Sequence, residues 1–221
     1  MNQLNLFLEL TRLKRPIGYM LLFWPCAWGL TISFNFSDDI NTFVYFLMLF
    51  LVGAILMRSA GCIVNDIVDR KLDKKVDRTK NRPLAANLIS VNKSLFYVFL
   101  LCGLAFFILI QLNVLTIILG LASMFLAFSY PFMKRITYWP QLFLGITFNW
   151  GIIMAWSSVN PSFSIEVIVL YAAAIFWTLG YDTIYGAQDI VDDEIIGVKS
   201  TSIKFKNNIK KFVGLCYFIS S

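Results

Sequence analysis

Six apolar runs close to bilayer-spanning length punctuate this chain, at 16–34, 42–64, 95–112, 115–130, 141–159 and 165–185. Backbone N–H and C=O groups cannot be left unpaired in lipid, so such a chain either bundles helices or closes a barrel. A barrel needs shorter, alternating segments, and none is present. The expected fold is all-α: a multi-span transmembrane helical bundle, one domain over residues 1–221. Composition agrees, since 58% of the residues are hydrophobic and 14% charged, a balance that soluble domains do not reach. A seventh apolar run begins near Phe212 and stops at Ser221, too short to cross a bilayer.

Charge placement orients the spans. Arg12, Lys14 and Arg15 precede the first, a dense basic set occupies 66–93, Lys134 and Arg135 follow the fourth, and five Lys from Lys199 to Lys211 follow the sixth. The alternate loops, 33–41, 111–114 and 157–164, carry no Lys or Arg, and Arg58 alone lies inside a span. The positive-inside rule then puts the N-terminus and every long polar loop on the cytoplasmic face, here read as that of a bacterial inner membrane. The net charge of +6 is thus an orientation signal, with contact to anionic membrane lipid as a secondary effect. Nucleic acid is not an expected partner, because the basic residues interleave with acids and no soluble nucleic-acid module is visible. Glu9 precedes the first basic residue and no small-residue cleavage site follows the first apolar run, so a removed signal peptide is not expected.

The chain has no His, and its four Cys stand singly in apolar surroundings. They read as small buried hydrophobes. Carboxylates remain as the dense set of candidate ligands. Asp66, Asp69, Asp73 and Asp77 follow an apolar run at spacings that keep them on one helix face. Asp182, Asp189 and Asp193, spaced by seven and four, repeat the pattern, while Asp192 points elsewhere by this spacing. Stacked like charges repel unless a cation intervenes. Mg2+, a hard cation that bridges carboxylates to phosphates, satisfies both clusters, whereas an EF-hand register does not match. The alternative for the loop beyond Asp73 is a solvated run of Asp offset by neighbouring Lys and Arg. Arg58, two turns before Asn65, is an intramembrane charge and hence a candidate contact for a substrate phosphate or carboxylate, the alternative being a plain Asp partner.

Asn65-Asp66-x-x-Asp69-x-x-x-Asp73 and Asp182-x-x-Tyr185-x-x-x-Asp189-x-x-x-Asp193 resemble the two signature motifs of the UbiA family of intramembrane aromatic prenyltransferases. The stretches Arg78-Thr-Lys-Asn-Arg82-Pro83-Leu84, Tyr130-Pro-Phe-Met-Lys134-Arg135 and Gly197-Val-Lys-Ser-Thr201 are most similar to its 4-hydroxybenzoate polyprenyltransferase branch. The resemblance implies a Mg2+ cofactor held by Asn65, Asp66, Asp69, Asp73, Asp182, Asp189 and Asp193. It further implies substrate contacts from Arg15, Arg58, Asn65, Lys134 and Tyr185, and catalytic roles for Asp69, Asp189, Arg58 and Tyr185. The implied reaction joins the chain of a polyprenyl diphosphate to the ring of 4-hydroxybenzoate in ubiquinone biosynthesis. Since the family's members resemble nine-helix bundles, the chain is expected to lack the C-terminal helices of the full fold, as a truncated or frameshifted product. Competing expectations are another aromatic or quinone precursor as acceptor, an inactive membrane remnant, and a cation-coupled transporter. Phe99, Phe106, Phe107 and Phe125 are expected to pack helices, and Gly103, Gly120 and Gly145 to allow close helix approach.

Overall fold

The computed structural model describes residues 2–35, 39–77 and 79–221. Among them lie ten α-helices: α1 (Gln3–Thr11), α2 (Pro16–Ser33), α3 (Ile40–Asp73), α4 (Val91–Leu109), α5 (Val114–Ile136), α6 (Pro140–Val159), α7 (Ile165–Gly186), α8 (Ile190–Ile196), α9 (Thr201–Lys204) and α10 (Ile209–Ser220). A 3-10 turn, Ala187–Asp189, joins α7 to α8. Five stretches are long and apolar enough to cross a membrane: α3, α4, α5, α6 and the continuous Ile165–Ile196. The expected first span does form a helix, α2, but its 18 residues include two Pro, two Trp and two Gly, which keep it outside that apolar set. It runs through the middle of the bundle, packed most extensively on α6.

Helix starts follow local capping chemistry. The side chains of Asp39, Ser90 and Asn113 accept hydrogen bonds from the backbone N–H groups of Asn41, Lys93 and Thr116, at 3.0, 3.3 and 2.9 Å. Pro16 and Pro140 occupy the first turns of α2 and α6, where no intrahelical N–H is needed. At the crossing of α2 and α6, Gly29 has no side chain because a Cβ there would stand 2.3 Å from the carbonyl oxygen of Ile152. Gly145 similarly admits the backbone of Ile175 on α7, whereas Gly103, expected to serve the same purpose, faces open space. Asn149, buried between α6 and α7, donates from Nδ2 toward Thr178 Oγ1 (2.8 Å) and the carbonyl of Gly145 (2.8 Å). In an apolar interior this satisfied polar lock fixes the register of the two helices. Phe99, Phe107 and Phe125, expected to pack helices, are instead at least 65% exposed.

The helix α3 explains where the site lies. Its 34 residues span about 50 Å at 1.5 Å per residue, against about 30 Å of hydrocarbon. Its polar last turns therefore project beyond the apolar slab. Around that end, Leu10 of α1, Ala60 and Ile63 of α3, Leu84 and Ile89 of the following loop and Leu101 of α4 form one buried cluster. This cluster pins the 74–90 loop over the acid-bearing turns.

Candidate active site

Asp66, Asp69 and Asp73 are almost wholly buried, at 2, 1 and 7% exposure. Carboxylates at such depth require compensating charge. Arg12 meets Asp66 at 2.6 Å, and Arg82 reaches Asp66 at 3.2 Å and Asp73 at 2.9 Å. Lys134 pairs closely with Asp69, and Arg135 approaches it at 3.3 Å while donating to the carbonyl of Val68 at 2.8 Å. Four basic side chains from α1, the 74–90 loop and α5 thus converge on three acids of α3. Burial is the largest single influence on Arg12 and would depress its pKa, but Asp66, Asp73 and other neighbouring groups together outweigh it and hold the guanidinium above its ordinary value. Arg12 ends α1 in a left-handed backbone conformation, φ +54°, with its N–H bonded to the carbonyl of Glu9.

A polar cavity of about 210 Å³ opens beside these turns. Asn65, Asp69 and Asp73 line it from α3, and Asp189, Asp192 and Asp193 from the α7–α8 junction, with Arg82 and Lys134 beside them. Topology and spacing anticipated that both clusters would share one end of the bundle. The placement of Asp192 differs from expectation for a definite reason: the 3-10 turn has about three residues per turn, so it rotates everything after Gly186 out of the α-helical register. Two expected ligands, Asp66 and Asp182, do not line the cavity. Asp66 is enclosed by its arginines, and Asp182 lies deeper on α7, close enough to Tyr130 and Tyr181 to act on them electrostatically. Among the described residues no three His, Cys, Asp or Glu side chains gather tightly enough to hold an ion by themselves. Five of the seven expected ligands, Asn65, Asp69 and Asp73 on one wall and Asp189 and Asp193 on the other, therefore form two facing groups rather than one closed cage.

Arg58 sits where an intramembrane charge was expected, and its Nε is buried with no hydrogen-bond partner. Its guanidinium carbon lies 5.5 Å from the Phe148 ring centre, a cation–π contact. Gly18 leaves the space it occupies, since a Cβ there would stand 2.9 Å from Nε. Tyr185 is half exposed on the last turn of α7 and lies near Arg12. Arg15 is exposed at the start of α2, and Arg12, one turn earlier, makes the contact with the acid cluster. Asp77 is 94% exposed and pairs with Lys80 at 2.6 Å, matching the solvated-loop alternative. Arg78 falls outside the described residues.

On the other side of Arg58, α3 borders a second cavity of about 130 Å³, bounded among others by Gly53, Met57, Phe106, Met124 and Met154. One helix therefore carries, in order, an apolar chamber, a buried guanidinium and an acid-lined chamber. The basic residues Arg12, Arg82 and Arg135 were missed as site components, although buried acids on α3 demand cations and these were nearby in the same polar segments.

Comparison with known proteins gives a consistent likeness. The sequence pattern of the UbiA prenyltransferase family matches residues 22–221. The mitochondrial 4-hydroxybenzoate polyprenyltransferase of Rattus norvegicus is 48% identical over 210 residues, which are 94% of this chain and 55% of that protein. That of Arabidopsis thaliana is 44% identical, covering 92% of this chain and 50% of the relative. The chain spans about half the length of the curated relatives it matches. The fold of an apo UbiA homolog from Aeropyrum pernix K1 superposes with a TM-score of 0.76 at 24% identity, over 90% of this chain and 74% of that one. A UbiA homolog from Archaeoglobus fulgidus bound to GPP and Mg2+ gives 0.76 at 18% identity, over 97% of this chain and 73% of that one.

Proposed function

Because this chain belongs to the UbiA prenyltransferase family, we propose that it transfers a polyprenyl group from a polyprenyl diphosphate to the ring of 4-hydroxybenzoate, in ubiquinone biosynthesis, with Mg2+ as cofactor. Close relatives bearing that enzyme name support the reaction class. The observation that carries the reading is the acid-lined cavity onto which both Asp clusters open, with Lys134 and Arg82 at its wall.

The donor set fits the metal. Asn65, Asp69, Asp73, Asp189 and Asp193 offer hard oxygen ligands on both walls, and the absence of His from the chain leaves no imidazole to favour a softer ion. Mg2+ keeps few protein ligands and takes the rest from phosphate and water, which suits two facing groups better than a closed cage. When bound, Mg2+ would neutralise negative charge accumulating on the departing diphosphate. Lys134, Arg82 and Arg12 would add positive charge at the same end, and Asp66 would position the two arginines. Asp182, with the rings of Tyr130 and Tyr181, offers negative charge and π faces to the allylic carbon as it becomes cationic. Arg58 would hold the carboxylate of the aromatic acceptor, its Nε being a buried donor with no protein partner. Tyr185 borders this end near Arg12. The apolar cavity beyond Met57 would take the start of the isoprenoid chain. Every cation-rich segment would face the cytoplasm, the acid-lined cavity included.

Incubating membranes that carry this chain with labelled prenyl diphosphate and 4-hydroxybenzoate, with and without Mg2+, tests the reaction. Mg2+-dependent labelling of the aromatic product is expected, and Asp189→Ala should abolish it without altering membrane insertion. Near-normal turnover in that variant would overturn the role of Asp189, and cation flux without prenyl transfer would replace the enzyme reading with transport.

A further inference from the structure

At the same end of the bundle, outside the acid-lined cavity, cationic and aromatic side chains meet where α6, α9 and α10 begin. Trp139 caps α6, and its ring lies 5.8 Å from Phe205 and 6.1 Å from Phe212 in edge-on contacts. Phe205 and Phe212 stack face to face at 4.0 Å. Lys204 Nζ sits 4.5 Å over the Trp139 ring, and Lys199 Nζ 5.6 Å over that of Tyr138. Lys204, Lys210 and Lys211 are exposed and have no carboxylate partner among the described residues. From Phe212 onward α10 turns apolar, and Leu215 and Phe218 point outward.

We propose that this patch is a docking surface for anionic phospholipid headgroups of the leaflet next to the acid-lined cavity. Amphipathic rings settle at headgroup depth, and Lys beside them draws anionic lipid. The sequence turns apolar immediately after the patch, at Phe212, which sets these lysines at the border of an apolar segment and favours a lipid surface over a soluble acidic protein. A lipid held here would bear on the cavity wall through short links. Lys206 bonds Glu194 of α8 at 2.6 Å, and the Lys199 N–H bonds the carbonyl of Lys134 at 2.7 Å. Lys134 pairs with Asp69, and α8 carries Asp192 and Asp193, so the occupied patch would brace both walls of the cavity.

The test needs no enzymatic readout, so its failure and failure of the proposed reaction are separable. The purified chain is equilibrated in micelles containing equimolar phosphatidylglycerol and phosphatidylcholine, and retained lipid is counted by native mass spectrometry. The wild-type chain should retain phosphatidylglycerol at least about fivefold over phosphatidylcholine, the factor expected of one lysine at an anionic surface. Lys204→Gln/Lys210→Gln/Lys211→Gln should bring the two lipids to parity, while Lys71→Gln/Lys75→Gln, which removes exposed charge from the 66–93 segment, should leave the preference intact. Parity in the wild type, or equal loss in both variants, would overturn the proposal. Should the triple variant fail to fold, brominated lipids decide on the native sequence: quenching of the Trp139 contribution, taken against Trp139→Phe, must be stronger with phosphatidylglycerol. Equal quenching by both lipids, or loss of the preference to free inorganic phosphate, would also overturn it.

Discussion

Arg12 is held in a left-handed backbone conformation that costs a non-glycine residue about 1 kcal/mol, and the contact with Asp66 offsets it. Arg12→Gly and Arg12→Ala both delete the ion pair, but only Gly accepts φ +54° freely. The Ala variant should therefore melt lower than the Gly variant by about 2–4 °C, read as the unfolding midpoint in micelles. Arg58 behaves differently, since its Nε has no protein partner to lose. Arg58→Ala should cost the acceptor reaction about 1.5–3 kcal/mol in kcat/KM, the worth of a charged hydrogen bond, with Arg58→Lys recovering part of it. Unchanged KM and turnover in both would exclude substrate contact. At this scale the acids of α3 were legible in the sequence, because spacing on one helix fixes which side chains share a face. Their cationic partners were not, because Arg12, Arg82 and Arg135 arrive from segments whose relative placement only tertiary packing decides.

Among the elements, the long spans were readable from their apolar length, and the exceptions have identifiable causes. The 3-10 turn after Gly186 is invisible to a pattern that assumes 3.6 residues per turn, and it brings Asp192 onto the cavity. Close helix approach was expected at Gly103, Gly120 and Gly145; Gly145 carries it, Gly103 does not, and Gly29 was missed, since a glycine's neighbours across a bundle are not written in its own helix. The two positions should part sharply. Gly29→Ala drives a methyl group into the Ile152 backbone, which cannot swing aside, and should destabilise by about 1–3 kcal/mol. Gly103→Ala meets nothing within 4 Å and should be neutral or stabilising by about 0.5–1 kcal/mol. Thermal midpoints of the two variants in the same micelle check both. If Gly103→Ala proved the more damaging, the α2–α6 contact would not be the tight one.

The whole molecule has two unlike ends, one rich in Lys and Arg and one without them. Lys75 lies on the exposed basic loop after α3, and Ser162 on the exposed turn between α6 and α7, which holds no Lys or Arg. A membrane-impermeant maleimide should label Lys75→Cys from the cytoplasmic side alone and Ser162→Cys from the opposite side alone. Labelling of both from one side would dismantle the orientation. The bundle itself was foreseeable because lipid admits so few backbone solutions, whereas the cavity between α3 and α8 required knowing how the last turns of separate helices meet. The bridges from Arg12, Arg82, Lys134 and Arg135 to three acids carry one more implication. The carboxylates proposed to serve the metal also rivet α1, the 74–90 loop and α5 to α3. With the reaction at this site as proposed, a chain whose acids were damaged would come apart where it ought to work, so assembly would double as an inspection of catalytic fitness before any substrate arrives.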